Sequence, residues 1–104
     1  MIINKTPHPV IVISEDGQIV TFEPVAPAIR ISSSIKDAGE IAGIRVTKSV
    51  FGDAVNMPEQ IEGVFYIVSQ MVKTAFPERK DLLVPSEVVR DNNGAVIGCK
   101  SLGI

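Results

Sequence analysis

Val10-Ile11-Val12-Ile13, then Glu15-Asp16-Gly17-Gln18, then Ile19-Val20-Thr21-Phe22-Glu23 is the stretch that decides the fold. Both apolar runs are short and β-branched, which suits strands rather than helices. Asp-Gly between two such runs is a strong hairpin signal. Pro24 ends the second run. The pattern returns at the other end of the chain. Ser86 to Arg90 is extended, Asp91-Asn92-Asn93-Gly94 carries Asn-Gly, and Ala95 to Leu102 closes the second hairpin. Gly98 inside that last strand marks a bulge or a close backbone approach.

Between the hairpins the pattern stays β-like. Ile29-Arg30-Ile31-Ser32 alternates apolar and polar residues, as a half-buried strand does. Ile41-Ala42-Gly43 reads as a tight turn. Beyond it Ile44, Val46 and Val50 share one face of a strand, and Arg45, Thr47 and Ser49 share the other. Gly52 to Gly63 has no clear period, holds Pro58, and reads as a long loop, a kind of segment that often carries function. Val64 to Val68 is apolar on both faces, the signature of a covered central strand. Ser69 is a good N-cap, and Val68, Met71, Val72, Ala75 and Phe76 form a helical stripe that Pro77 stops. Pro77 to Pro85 reads as a loop containing Leu82-Leu83-Val84. At the start, Pro7 and Pro9 make Asn4 to Pro9 an irregular or edge segment. The expected fold is α+β over one domain, 1–104. A mostly antiparallel or mixed sheet of six to eight strands forms a small barrel or sandwich, with one short helix near 70–76.

Composition narrows the function. The 104 residues are 45% hydrophobic, so a core can form without disulfides or metal. One Cys and one His make neither an intrachain disulfide nor a closed zinc site. Ten basic residues face twelve acidic ones, and the isoelectric point is about 5.3. That balance argues against nucleic acid, whose binders carry a basic excess. No apolar run approaches the roughly 18 residues of a membrane span, and the opening residues do not form a signal peptide. The expected setting is cytoplasmic.

Few residues offer chemistry. His8, held between two prolines, is either an aimed general base or, with Thr6, a tie between the N-terminal segment and the sheet. Cys99 is either a nucleophile, served by His8 and an orienting Asp91, or a small buried apolar residue. Ser69 is either a helix cap or a nucleophile lacking the glycines of a nucleophile elbow. Asp91 opens a turn, and beside it Arg90 binds an anion or pairs with a nearby carboxylate. Arg30 and Arg45 lie on the polar faces of neighbouring strands, where they either meet a carboxylate or phosphate or face solvent. No glycine-rich phosphate loop and no metal or cofactor motif is present.

Three stretches together resemble a known group. Asn4-Lys5-Thr6-Pro7-His8-Pro9-Val10 resembles an N-x-T-P-H-x-V opening, and Tyr66-Ile67-Val68-Ser69 a central Y-I-V-S. Val89-Arg90-Asp91-Asn92-Asn93-Gly94-Ala95-Val96-Ile97-Gly98-Cys99 resembles a closing V-R-D-x-x-G-x-x-I-G-C. The set is similar to small bacterial and phage-encoded proteins of about this length that have no assigned activity. The resemblance implies a stand-alone domain from a phage or prophage and transfers no catalytic residue. It draws attention to Thr6, His8, Ser69, Arg90, Asp91 and Cys99.

The incomplete catalytic set favours a binding or interaction protein over an enzyme. Such a protein self-associates and holds a small anionic ligand or a protein partner, through Thr6, His8, Arg90, Asp91, Arg30 and Arg45. The alternatives are a small hydrolase or transferase using Cys99 or Ser69 with His8, and a structural or accessory component of a phage particle.

Overall fold

The computed structural model describes residues 1–104. Eight strands and one helix follow one another in the chain: β1 (Ile2–Asn4), β2 (Val10–Ile13), β3 (Ile19–Phe22), β4 (Arg30–Ile41), β5 (Ile44–Val55), β6 (Phe65–Ile67), α1 (Gln70–Ala75), β7 (Leu82–Arg90) and β8 (Val96–Gly103). Six strands make one mixed sheet in the order β1-β6-β7-β8-β2-β3, and β4 and β5 form a separate two-stranded ribbon. The fold is β-rich α+β, as the alternation and turn signals imply.

Three hairpins rest on local turn chemistry. At Glu15-Asp16-Gly17 and at Asn92-Asn93-Gly94 the glycine takes a positive φ, 84° and 82°. In each, the residue before the loop bonds the carbonyl of the residue after it: Ser14 N to Gln18 O at 2.8 Å, and Asp91 N to Ala95 O at 2.9 Å. Both are three-residue loops ending in a left-handed glycine. The third turn, Ala42-Gly43, has two residues with positive φ, 54° and 80°, between the paired Ile41 and Ile44. That is the mirror-image turn that matches strand twist.

The six-stranded sheet curls into a nearly closed barrel, and Asn4 joins its ends. Asn4 pairs with Pro24 just beyond β3, and Val25 N donates to Asn4 O at 2.9 Å. The Asn4 side chain is 1% exposed and uses its full bonding capacity. Nδ2 donates to the carbonyls of His8 and Phe22, both at 2.8 Å. Oδ1 accepts from Thr6 N at 2.9 Å and Thr6 Oγ1 at 2.7 Å. One carboxamide therefore pins β1, the proline segment and β3 together.

β6 separates two apolar clusters. Tyr66 and Val68 face Ile29, Val72 and Leu82 on one side, beneath α1. Ile67 faces Val10 and Cys99 on the other. This is why the stretch is apolar on both faces. β6, α1 and β7 form a parallel crossover, and β1 is also parallel to β6.

Two expected loops are corrected. Gly52 to Val55 belongs to β5, so the loop before β6 begins only at Asn56. Leu82-Leu83-Val84 opens β7, with Pro85 inside that strand and opposite Leu102. Full burial of Leu82 in the first cluster outweighs the missing donor at Pro85.

The ribbon is the larger departure. It was expected to be half-buried, yet most of its residues are exposed on both faces. Twelve residues per strand extend about 40 Å. The radius of gyration is 16.5 Å, against about 13 Å for a compact chain of this length.

Replacing Asn4 by Ala removes the side-chain partners of the Phe22 carbonyl and the Thr6 N–H at the barrel seam, and leaves the His8 carbonyl to the Thr6 hydroxyl alone. Each such group costs about 1–3 kcal/mol, so urea unfolding should show a loss of about 3 kcal/mol or more. A loss below about 1 kcal/mol would show that the seam does not depend on this side chain.

Candidate functional site

The motif residues divide into seam, turn and core positions. Thr6 Oγ1 lies 2.7 Å from Asn4 Oδ1 and 2.9 Å from the His8 carbonyl. A hydroxyl has one hydrogen, so it donates to one of these oxygens at a time. His8 takes part through its carbonyl, not its ring. The imidazole is exposed and makes no hydrogen bond to the protein. The tie between segment and sheet is thus made by Thr6 and by backbone, while the ring stays outside it.

Arg90 and Asp91 build the second hairpin turn. Asp91 Oδ1 accepts from Asn93 N at 2.8 Å and Ala95 N at 3.0 Å. Arg90 Nη1 donates to the Gly94 carbonyl at 2.8 Å. Asp91 thus caps its own loop, as turn-opening Asp residues do. Ser69 is the N-cap of α1, its Oγ accepting from Val72 N at 3.3 Å.

Cys99 sits in the second cluster, 2% exposed, with its thiol directed at the Ile11 carbonyl at 3.5 Å. Burial pushes this thiol above its ordinary value. A nucleophilic cysteine needs the opposite shift, toward thiolate at neutral pH. Its surroundings are those of a packed apolar residue.

Arg30 and Arg45 are on paired strands but at opposite ends. Arg30 lies opposite Val55 at the base of the ribbon, and Arg45 lies opposite Glu40 near the tip. Antiparallel pairing separates them along the ribbon by roughly 30 Å. The two guanidiniums do not converge.

The sequence held one polar cluster whose role was not read. Arg79 and Asp81 form a two-bonded ion pair, Nε to Oδ1 and Nη2 to Oδ2, each at 2.7 Å. The side chains are 16% and 5% exposed. Arg79 Nη2 also donates to the Pro58 carbonyl at 3.1 Å, and Asp81 O accepts from Tyr66 N at 2.8 Å. The pair fastens the 56–64 connection onto β6. An Arg two residues before an Asp, ahead of a buried strand, was the available signal.

No protein-family model, curated protein or solved structure matches the chain. The site must therefore be read from geometry. No helix is long and apolar enough to cross a membrane.

Two surfaces remain. A shallow apolar groove of about 180 Å³ lies between Ile11, Pro85, Val88, Val96 and Ile97. The ribbon is the other. Directly opposed residues share a face. One ribbon face carries Ile41 with Ile44, then Val46, then Lys36 with Lys48, then Ser34 with Val50. The other carries Glu40 with Arg45, Asp37 with Thr47, Ile35 with Ser49, and Ser33 with Phe51. A bulge between Asp37 and Glu40, where Gly39 N bonds Asp37 Oδ1 at 2.9 Å, keeps this sorting in register. The face that alternation marked as apolar is real, and nothing in the chain covers its outer half: Ile41 and Ile44 are each 69% exposed.

Two measurements test these assignments. Iodoacetamide should alkylate Cys99 at least about 100-fold more slowly in native protein than in denaturant, because reaction waits for opening. A native rate within about tenfold of the denatured rate would place the thiol at the surface. The hydrogen bonds from Arg79 hold the Asp81 carboxyl below its ordinary 3.8. A depressed folded value means the pair's stabilisation is complete above 3.8 and drains as pH falls through the lower folded value. Thermal melts from neutral pH downward should therefore show an acid-dependent fall that Asp81→Asn reduces, while lowering Tm at neutral pH by stranding Arg79.

Proposed function

We propose that this chain is a binding protein that acts through protein contact, with the β4–β5 ribbon as the contacting arm. The observation that carries this reading is the apolar face of Ile41, Ile44, Val46 and Val50, uncovered at Ile41 and Ile44 and only half-buried at Val46 and Val50. An isolated two-stranded hairpin is marginal in water at best, and a long one with an apolar stripe needs a surface against it. The ribbon's own chain supplies only its base, where Ile31 packs with the first cluster.

Charge placement supports a protein partner over a small anion. Arg30 and Arg45 are apart, and Arg90 spends a donor on its turn. The hydrolase reading loses its better nucleophile to the apolar setting of Cys99. The motif resemblance adds a phage or prophage origin to the proposal, and the composition, with one cysteine and no membrane-length apolar run, adds a cytoplasmic setting. A particle component and a free binding protein would both use such an arm.

A photo-reactive amino acid at Ile44, compared with one at Gly17 in the first hairpin turn, tests the reading in the producing cell. Irradiation should give a covalent protein adduct from position 44 in large excess over position 17. Absence of any adduct from position 44 would remove the arm as a contact surface.

A further inference from the structure

The geometry points to a second copy of this chain as the partner, its barrel receiving the tip and apolar face of the arm in a reciprocal exchange. This rests on the arm reading above and adds the identity of the partner and the surface it offers.

Area is the first argument. The chain exposes 7223 Å². A compact monomer of 11.2 kDa exposes about 5,700 Å² by the usual mass scaling. The excess is roughly 1,500 Å² per chain, about twice the ~800 Å² that each partner gives to a standard interface. It matches instead what a subunit of a permanent oligomer buries. Only eleven of 104 residues are buried in the single chain, as expected of a protomer whose remaining apolar surface closes on assembly.

One arm laid on one partner does not account for that excess. An arm face about 40 Å long and two strands wide covers roughly 400 Å², so a single docking buries about 800 Å² over both molecules. Two copies that exchange arms bury about 1,600 Å² over both molecules, ~800 Å² per chain, which is the size of a standard stable interface and about half of the excess. Two-fold exchange is self-closing, so it ends in a finite assembly rather than a fibre.

Charge is the second argument. The exposed apolar face of the arm carries Lys36 directly opposite Lys48 and no acid. Two such faces repel each other, which disfavours packing arm on arm. Outside residues 30–55 the chain holds six basic and nine acidic residues. Of those acids only Asp81 is in an ion pair. The barrel of a second copy is therefore the complementary surface for a basic arm face.

The receiving place follows from exposure. Val88, Val96 and Ile97 are 48%, 57% and 47% exposed and border the apolar groove with Ile11. They form the β7–β8 end of the barrel, whereas the arm springs from residues packed beside α1 and β6. In its own chain the arm packs through its base, against α1 and the first cluster, and the tip residues Ile41 and Ile44 stay exposed, so a shelf for the tip comes from another copy.

The test uses the full chain. Sedimentation equilibrium between about 1 and 100 μM spans interfaces of micromolar affinity and tighter. The expected result is a mass at least twice 11.2 kDa that reverts to 11.2 kDa in the Ile41→Asp, Ile44→Asp double variant. Both positions are exposed in the single chain, so circular dichroism should show the barrel unchanged. A second variant carries Ile44→Cys and Val96→Cys. Since Cys99 is buried, oxidation should yield a disulfide-linked dimer on a non-reducing gel, and neither single variant should yield it. A wild-type monomer at about 100 μM overturns the inference. If position 44 still gives an adduct to another protein, the arm reading survives that outcome, and without an adduct both fall. An oligomer untouched by the double variant overturns the role of the arm. An arm-dependent oligomer that never forms the Ile44→Cys to Val96→Cys link overturns the barrel shelf as its receiver.

Discussion

The structure depends on one side-chain amide. Asn4 is buried at the seam of a nearly closed barrel and meets two carbonyls, a backbone N–H and a hydroxyl. Pro7 and Pro9 contribute no backbone donors, so the segment between β1 and β2 cannot be stitched by a ladder. A side chain with two donors and two acceptors does that work instead. A carboxylate has no donors and an aliphatic residue no polar atoms. The short segment from Asn4 to His8 is thus a closure device, which explains why its Thr and His positions carry no visible chemistry.

The parts of the fold that were legible depend on neighbours in sequence. Asp16-Gly17, Asn93-Gly94 and Ala42-Gly43 set their turns by the φ that glycine alone adopts freely. The stripe ending at Phe76 places α1, with Val72 buried beneath it. What was not legible depends on distant pairing. The parallel contacts β1–β6, β6–β7 and β2–β8 join residues with no shared turn, and no local signal encodes their order. Leu82-Leu83-Val84 looked like loop because prolines bracket it. Only its place beside β6 makes it a strand.

The candidate residues Asp91 and Ser69 take the turn and cap roles that the sequence offers for them. Arg90, Asp91 and Ser69 are polar groups at chain reversals, where unsatisfied backbone groups need partners. A sequence shows such residue types without showing that the backbone has already claimed them. Arg79 and Asp81 were the converse case. Their types and spacing carry no function in the sequence, and they are the molecule's one ion pair, fastening a connection that is otherwise without regular structure.

Period-2 alternation in β4 and β5 points to a half-buried sheet, and the faces of β5 sort as that reading requires, whereas Ile35 of β4 falls on the polar face opposite Ser49. Only the cover is missing. Natural sequences keep apolar residues off exposed ribbons, because uncovered strands invite pairing with the wrong chain. In the arm the alternation is maintained through a bulge, with isoleucines at the very tip that the chain's own core does not use. The bulge at Gly39 is informative here, because an extra residue in β4 would put Ile41 on the polar face if the strand stayed regular. Its presence returns Ile41 to the side of Ile44 and Val46. A register correction at exposed residues has no effect on the chain's own core, and in the proposed assembly it is what presents Ile41 and Ile44 together to the surface they would meet.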